Sequence, residues 1–319
     1  MAPRLVTVFG GSGFIGRNFI RLMAKTGAPI RVAVRDPNAA GFLRPMGDVG
    51  QIALVQANLR VPETVAAACA GADIVVNLVG ILAERGRQNF HTIHEVGART
   101  IAEAAKTAGA QQLIHLSALG ASSQATSRYA RSKATGEAAI RQVFPTATIL
   151  RPSVVFGPDD NFFNQFATLA RHFPVLPLIG GGKTKVQPVY VGDVAAAMMQ
   201  ITQNPLMRGK TYDLGGPRAY TWREIMQLVC RETSRNRCLL PVPYSLAMLQ
   251  AFFLEFLPIP PLTRDQVRML KSDNILTGEN AGLEAFGISP TAAEAILPSY
   301  LYRFRPGGQF AKSETDTLI

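Results

Sequence analysis

The sequence predicts an α/β chain: a doubly wound parallel sheet followed by a smaller C-terminal lobe. Three observations carry that prediction. Short β-rich apolar runs alternate with amphipathic helical stretches through the first 155 residues. A glycine-rich turn follows the first run directly, and after Pro152 the alternation gives way to prolines and the run Gly180-Gly181-Gly182. The expected organisation is therefore an α/β domain over 1–155, a smaller lobe over 156–304, partly interleaved with the sheet, and a polar tail over 305–319.

Taken in order, strands are expected at residues 5–9, 30–34, 52–56, 74–78, 112–117 and 147–150, with helices at 14–25, 62–69, 92–108 and 128–143. Strands that read as unbroken apolar runs belong to a sheet covered on both faces. Beyond Pro152, a strand at 185–191 leads into a helix that Asp193 opens as its N-cap, and another strand follows at 211–214. Thr221-x-x-Glu224 and Thr291-x-x-Glu294 read as capping boxes that start two later helices.

Composition narrows the function classes. Hydrophobic residues at 47% and charged residues at 17% exclude general disorder. The net charge of +11 points to an acidic partner, such as a phosphorylated ligand, an anionic surface or an acidic protein face. The arginines 223, 231, 235 and 237 read as a solvated face, and no nucleic-acid reader motif accompanies them, so nucleic acid is not an expected partner. Three cysteines (Cys69, Cys230, Cys238) do not make a disulfide framework, and they show no metal spacing with His91, His94, His115 and His172. No metal is expected, and His115, inside a buried strand, reads as a satisfied core residue. Only residues 1–4 precede the first strand pattern, so no signal or transit peptide is expected. The longest apolar stretch, 239–262, is cut by five prolines to an uninterrupted 244–257, short of the roughly 20 residues that a spanning helix needs. That segment is expected either in the core of the lobe or at a membrane or subunit interface.

The chemistry starts at Gly10-Gly11-Ser12-Gly13-Phe14-Ile15-Gly16, which joins the first strand to the first helix. Glycines at this spacing give the tight turn, the close approach of backbone to a pyrophosphate and the packing of helix on strand, while the helix N-terminus supplies an anion site. The second strand ends Val34-Arg35-Asp36. A basic residue here meets the 2′-phosphate of NADP and an acidic one meets the ribose of NAD, so Arg35, with Arg17 nearby, favours NADP(H), while Asp36 keeps NAD(H) open. After the fifth strand, Tyr129 and Lys133 stand four residues apart on one helix face. An ammonium beside a phenol favours its ionised form, which makes the pair a usable acid/base.

At this point the chain resembles the extended branch of the short-chain dehydrogenase/reductase superfamily, a Rossmann-fold family. Asn77-Leu-Val-Gly80, Arg151-Pro-Ser153, Phe156-Gly157 and Val189-Tyr-Val-Gly-Asp193 extend the resemblance over nearly the whole chain. Three further blocks, Leu43-Arg-Pro-Met-Gly-Asp-Val-Gly-Gln51, Ser127-Arg-Tyr-Ala-Arg-Ser-Lys133 and Lys185-Val-Gln-Pro-Val-Tyr190, are similar to one subfamily. It is the nucleotide-binding accessory subunit of respiratory complex I (NADH:ubiquinone oxidoreductase) together with its bacterial homologues. The resemblance implies a tightly held NADPH, contact with complex I subunits or a membrane surface, and a cytoplasmic location, peripheral on the inner membrane. It also implies a structural or assembly role linked to complex I or quinone metabolism. Carried over residue by residue, it implies cofactor contacts at Gly10, Gly13, Phe14, Ile15, Gly16, Arg35, Asn58, Val79, Gly80, Ser117, Tyr129, Lys133 and Pro152. A catalytic set would be Tyr129 and Lys133 with Ser117. One departure bears on turnover: the register of the catalytic Ser/Thr in sugar-nucleotide members gives Leu119, with Ser122 or Ser123 as substitutes. Three readings stay open: a structural NAD(P)H-binding subunit, an active reductase, dehydrogenase or epimerase, and a redox-sensing regulator that binds NADP(H) and a partner protein.

Overall fold

The computed structural model describes residues 4–257 and 260–308, and its first compact unit is built on the predicted sheet. Strands β1 (Val6–Phe9), β2 (Ile30–Val34), β3 (Ile52–Gln56), β4 (Ile74–Asn77), β5 (Gln112–Leu116), β6 (Thr148–Pro152) and β7 (Thr211–Leu214) lie in the order β7-β6-β5-β4-β1-β2-β3, and every pairing is parallel. The central strands β1, β4 and β5 are buried at every position, which is why they read as apolar runs rather than as alternating ones. Order reverses between β1 and β4, and their carboxyl ends define the crevice where open α/β sheets bind ligands.

Helices α1 (Phe14–Ala24), α2 (Pro62–Cys69), α3 (Gly97–Thr107), α4 (Arg128–Val143) and α5 (Val191–Gln203) belong to the same unit. In α1, Gly16, Phe19, Ile20, Met23 and Ala24 recur at helical spacing and are all buried. Val65, Ala68, Ala98, Ile101, Ala105, Leu113, Ile140 and Ile149 join elements of this unit in one apolar cluster. The stretch expected as one helix over 92–108 is two pieces, a π-helix His91–Val96 followed by α3. Gly136 lets α4 lie close against the π-helix: a methyl group added there would lie 2.1 Å from the His94 carbonyl oxygen.

The second unit comprises Ser153–Tyr190, Gly215–Ile275 and the residues from Pro290 onward. Its core gathers Phe156, Phe163, Leu176, Leu178, Met226, Val229 and Tyr300, with Phe162, Phe166 and Trp222 packed edge to face beside them. Three sequence expectations are corrected here and at the start of α5. The strand expected at 185–191 is broken into Lys185–Val186 and Val189–Tyr190, because Pro188 has no N–H for a ladder. Helix α5 consequently begins at Val191, so Asp193 lies inside its first turn and is not its N-cap. The Thr221 capping box is present in full, but the second helix starts at Ala293 with Ala292 as its N-cap, and the Glu294 carboxylate instead accepts from the Tyr220 hydroxyl at 2.6 Å. A capping box that sequence reading passed over, Thr263 with Gln266, opens the helix Arg264–Met269. Residues 309–319 of the expected polar tail lie outside the described residues.

The apolar segment 244–257 forms the helix Tyr244–Leu254 and the turn after it. Only its small residues Ala247 and Ala251 are buried, against Ile179, Val242 and Val267, with Tyr244 and Met248 packed beside them. Leu246, Leu249, Phe252, Phe253, Phe256 and Leu257 are all exposed, Phe256 to 76%. The core alternative therefore fails for most of this segment. No helix among the described residues is long and apolar enough to cross a membrane.

Candidate functional site

The site grows from the carboxyl ends of β1, β4 and β5. Gly10 ends β1 with φ +76°, a backbone conformation that favours glycine, and a methyl group there would press within 3.0–3.1 Å of the Leu78–Val79 backbone. Gly16 packs its Cα against the same loop, where a methyl group would come 2.5 Å from the Gly11 Cα. Gly13 differs from both. Its φ of −75° and ψ of 175° suit any residue, and an added methyl group would meet only the Gly10 carbonyl oxygen, at 3.2 Å. That contact is tighter than a side chain ordinarily makes, so the loop must give by a few tenths of an ångström to admit one, far less than at Gly16. Gly13 is the N-cap of α1 and offers no side-chain cap, so the helix presents its first amides, at Phe14, Ile15 and Gly16, as an anion cradle.

Beside the cradle, Arg35 is exposed just past the end of β2. The Asp36 carboxylate oxygen Oδ1 accepts from the Asn38 and Ala39 amides at 2.9 and 3.2 Å, so it serves the turn that follows. Arg17 lies with its guanidinium 5.8 Å from the Phe14 ring centre. Past β3, Asn58 caps its own turn through Arg60 N and lines an open groove of about 590 Å³ with Arg60, Val61, Arg87, Asn89 and Thr92. At the end of β4, buried Asn77 accepts from Val79 N and so shapes the Val79–Gly80 corner.

Helix α4 carries Tyr129, Lys133 and Glu137 four residues apart, and Ser127 caps its start by accepting from Ala130 N. Gly80 faces Lys133: a methyl group on Gly80 would sit 3.7 Å from both the Lys133 Nζ and the His94 Nε2. Gly10, Val79, Gly80 and Lys133 are thereby brought together, with Arg35 and Asn58 at neighbouring strand ends. Pro152 is buried in β6, where its carbonyl accepts from Leu119 N at 2.8 Å.

The electrostatics correct the expected activation of Tyr129. Its half-buried ring packs edge-on against Phe90 and His94, and burial of its hydroxyl pushes the pKa up to about 12. The Lys133 ammonium donates to the Leu116 carbonyl at 2.9 Å. Burial brings the Lys133 pKa down to about 8, with the nearby Glu137 carboxylate pulling the other way. Ser117 donates its hydroxyl to Glu137, and Arg151 grips the same carboxylate with two bonds of 2.9 and 2.6 Å. Leu119 is half-buried, while Ser122 and Ser123 are exposed and Ser122 Oγ accepts from Gln124 N.

Sequence reading missed Glu137, Arg151 and His94 as parts of this network, although the spacing of Glu137 from Tyr129 and Lys133 was a signal. His115 is buried as expected but is not satisfied: neither ring nitrogen has a hydrogen-bond partner among the described residues. Burial, together with Lys133 and His94 close by, holds its pKa well below the usual histidine range, so the ring is neutral. Among the described residues, no group of three His, Cys, Asp or Glu side chains is placed to hold a metal.

Comparison with known proteins places this site in context. The sequence model of the NAD dependent epimerase/dehydratase family matches residues 6–215. The chain is 34% identical over 304 residues to the mitochondrial NADH dehydrogenase [ubiquinone] 1 alpha subcomplex subunit 9 of Mus musculus, covering 94% of this chain and 80% of that one. It is 32% identical over 228 residues to a ceramide reductase of Caulobacter vibrioides, covering 71% and 69%. Among solved structures, an NADPH-dependent quinone oxidoreductase from Escherichia coli superposes with a TM-score of 0.70 at 18% identity, over 93% of this chain and 98% of that one. At such identity the superposition speaks for the fold alone.

Proposed function

The chain belongs to the NAD-dependent epimerase/dehydratase family, and from that membership we propose that it is a nicotinamide-dinucleotide-binding, subunit-like protein with a structural or assembly role linked to complex I or quinone metabolism. The observation that carries the structural role is the state of the would-be catalytic hydroxyl: Ser117 is held by Glu137, and Leu119 stands where a second hydroxyl would be needed. Relatives among complex I subunits support the same reading. The α1 cradle of Phe14, Ile15 and Gly16 would take the pyrophosphate. Asn58, Val79, Gly80 and Pro152 would line the rest, and Lys133 and Tyr129 would meet the nicotinamide ribose. When bound, the dinucleotide supplies a hydride donor or acceptor. The first unit would thus hold the nucleotide, leaving the second for a partner. Purifying the native protein and identifying the nucleotide and any complex that travels with it tests the proposal, and a chain that arrives with neither counts against it.

A second reading, an active reductase, dehydrogenase or epimerase, is favoured by the intact Tyr129 and Lys133 on one helix face and by the likeness to a ceramide reductase. Turnover would then rest on Tyr129 as proton donor, which its burial makes a weak acid until a ligand changes its surroundings.

NADP(H) is the cofactor this reading prefers, with NAD(H) second. Arg35 is exposed at the end of β2, and Asp36 is engaged with its own turn. A guanidinium meets a phosphate in bidentate fashion. Arg35→Ala is expected to weaken NADPH binding by roughly 1.5–3 kcal/mol, the range of a charge-assisted contact, and to leave NADH binding unchanged. Titration of both nucleotides decides it, and equal losses would show that Arg35 reads no phosphate.

The exposed face of the helix Tyr244–Leu254 is the surface proposed to meet a membrane or a partner subunit, peripheral on a cytoplasmic membrane face. Contiguous apolar patches of this kind mark interaction sites, and the +11 charge favours anionic lipid. The protein is expected to float with liposomes rich in anionic lipid, less so at high salt, and Phe253→Ser with Phe256→Ser should abolish flotation. Protein left at the bottom of the gradient under all salt conditions rules out direct lipid contact and leaves the protein partner.

A further inference from the structure

The π-helix His91–Val96 stands between two elements of the site, and π-helical turns are frequent at functional sites. It carries the buried His94. Its Nε2 accepts from the Ile81 amide at 3.0 Å, in the loop that follows Gly80. An accepting Nε2 leaves the proton on Nδ1, which therefore donates to Ser132 Oγ at 2.8 Å on α4. Ser132 in turn donates to the Tyr129 carbonyl at 2.7 Å. The ring also stacks on Phe90 at 5.4 Å and meets the edge of Tyr129 at 5.6 Å between centres. Both nitrogens and the ring faces are thus used, and α4 is pressed against the His94 backbone by the absence of a side chain at Gly136. Burial, with Lys133 close by, brings the pKa of His94 down to about 3, so this neutral tautomer persists at any physiological pH.

We propose that His94 is a positioning residue: its imidazole ties the Gly80–Ile81 loop to α4 and so fixes the Gly80 backbone beside Lys133 and Tyr129, where the nicotinamide half of a dinucleotide would lie. The inference rests on the dinucleotide reading above and adds to it a residue that touches no ligand. It also explains why a histidine is used. A single imidazole accepts on one side and donates on the other at a fixed separation, which a hydroxyl cannot span.

The test uses the full chain and two ligands, NADPH and 2′-phospho-ADP, which shares the adenosine, its 2′-phosphate and the pyrophosphate but lacks both the nicotinamide and its ribose. His94→Phe keeps the aromatic packing and removes both nitrogens. It is expected to weaken NADPH binding about tenfold while leaving the fragment within about twofold. His94→Gln, whose carbonyl oxygen can take the Ile81 amide, should recover most of the NADPH affinity. Equal losses for both ligands, or no loss for either, overturn the inference, because a residue that merely holds the fold would not distinguish them. Should His94→Phe fail to fold, Ser132→Ala removes the α4 end of the bridge and is scored the same way. A wild type that binds the fragment as tightly as NADPH overturns the inference and leaves the dinucleotide reading standing. A wild type that binds neither sinks the dinucleotide reading and this inference with it.

Discussion

Gly13→Val is expected to abolish dinucleotide binding while the chain still folds. The backbone at 13 already lies in the extended region that valine prefers, and the new Cβ would meet nothing closer than the Gly10 carbonyl oxygen at 3.2 Å. The rest of the side chain would fill the space in front of the α1 amides, where the proposed pyrophosphate needs the backbone bare. Affinity should fall by more than about a hundredfold, whereas the nucleotide-free protein should lose only about 1 kcal/mol, from the tight Gly10 contact and a valine at the N-cap, and melt about 2–4 °C lower. With saturating nucleotide the wild type gains stability by ligand linkage and the variant does not. Gly16→Ala makes the contrast, because its methyl group would lie 2.5 Å from the Gly11 Cα and must disturb the loop itself. The same reasoning separates subunit from enzyme. Tyr129→Phe removes one hydroxyl and should keep the nucleotide, the melting temperature and the function in a deletion strain, where Gly13→Val fails. Loss of function in a folded, nucleotide-loaded Tyr129→Phe protein would sink the structural reading and restore the reductase.

What could be read from the sequence was local. The glycine loop is seven consecutive residues bounded by a strand and a helix, and Tyr129 with Lys133 is an i, i+4 pair, so neither depends on distant parts of the chain. Helix α2 and strands β2 and β3 fall at the expected residues because their flanking turns punctuate them. What escaped was long-range. His94 meets Ser132 thirty-eight residues on, and nothing near His94 in sequence marks it as more than one histidine among four. Arg151 reaches Glu137 only because β6 lies against β5 and α4 crosses the sheet there. Tyr129 shows the same limit in its energetics. The lysine beside it is visible in sequence, but the burial that outweighs the lysine is a property of the packed site. The apolar segment 244–257 could be recognised by composition, while only the fold decides that alanines face the core and phenylalanines face out.

Glu137→Ala is expected to cost about 3 kcal/mol, at the lower end of the range for breaking a buried ion pair because Arg151 keeps a quarter of its side chain exposed. The cost arises from what is left behind. Arg151 would lose both charge-assisted bonds and Ser117 its acceptor, in a place where the Glu137 side chain is 7% exposed and water cannot simply replace it. In a unit of this size the melting temperature should fall by about 6–12 °C. Replacing both partners, Glu137→Leu with Arg151→Leu, should cost less than either single change, since no charge is stranded. A second readout follows from Lys133. Its pKa lies near 8, below the ordinary lysine value, so the folded state binds fewer protons than the unfolded one between about pH 8 and 10.5 and stability rises with pH across that window. Glu137 raises that pKa, and removing it moves the lower edge of the window down. If the Lys133 ammonium holds the nicotinamide ribose as proposed, NADPH affinity should decline above pH 8 in the wild type and from a lower pH in Glu137→Gln, which keeps the side chain's shape but not its charge. A Glu137→Ala protein that melts with the wild type would show that the pair carries no stability, and coincident pH profiles would show that Glu137 does not set the charge on Lys133.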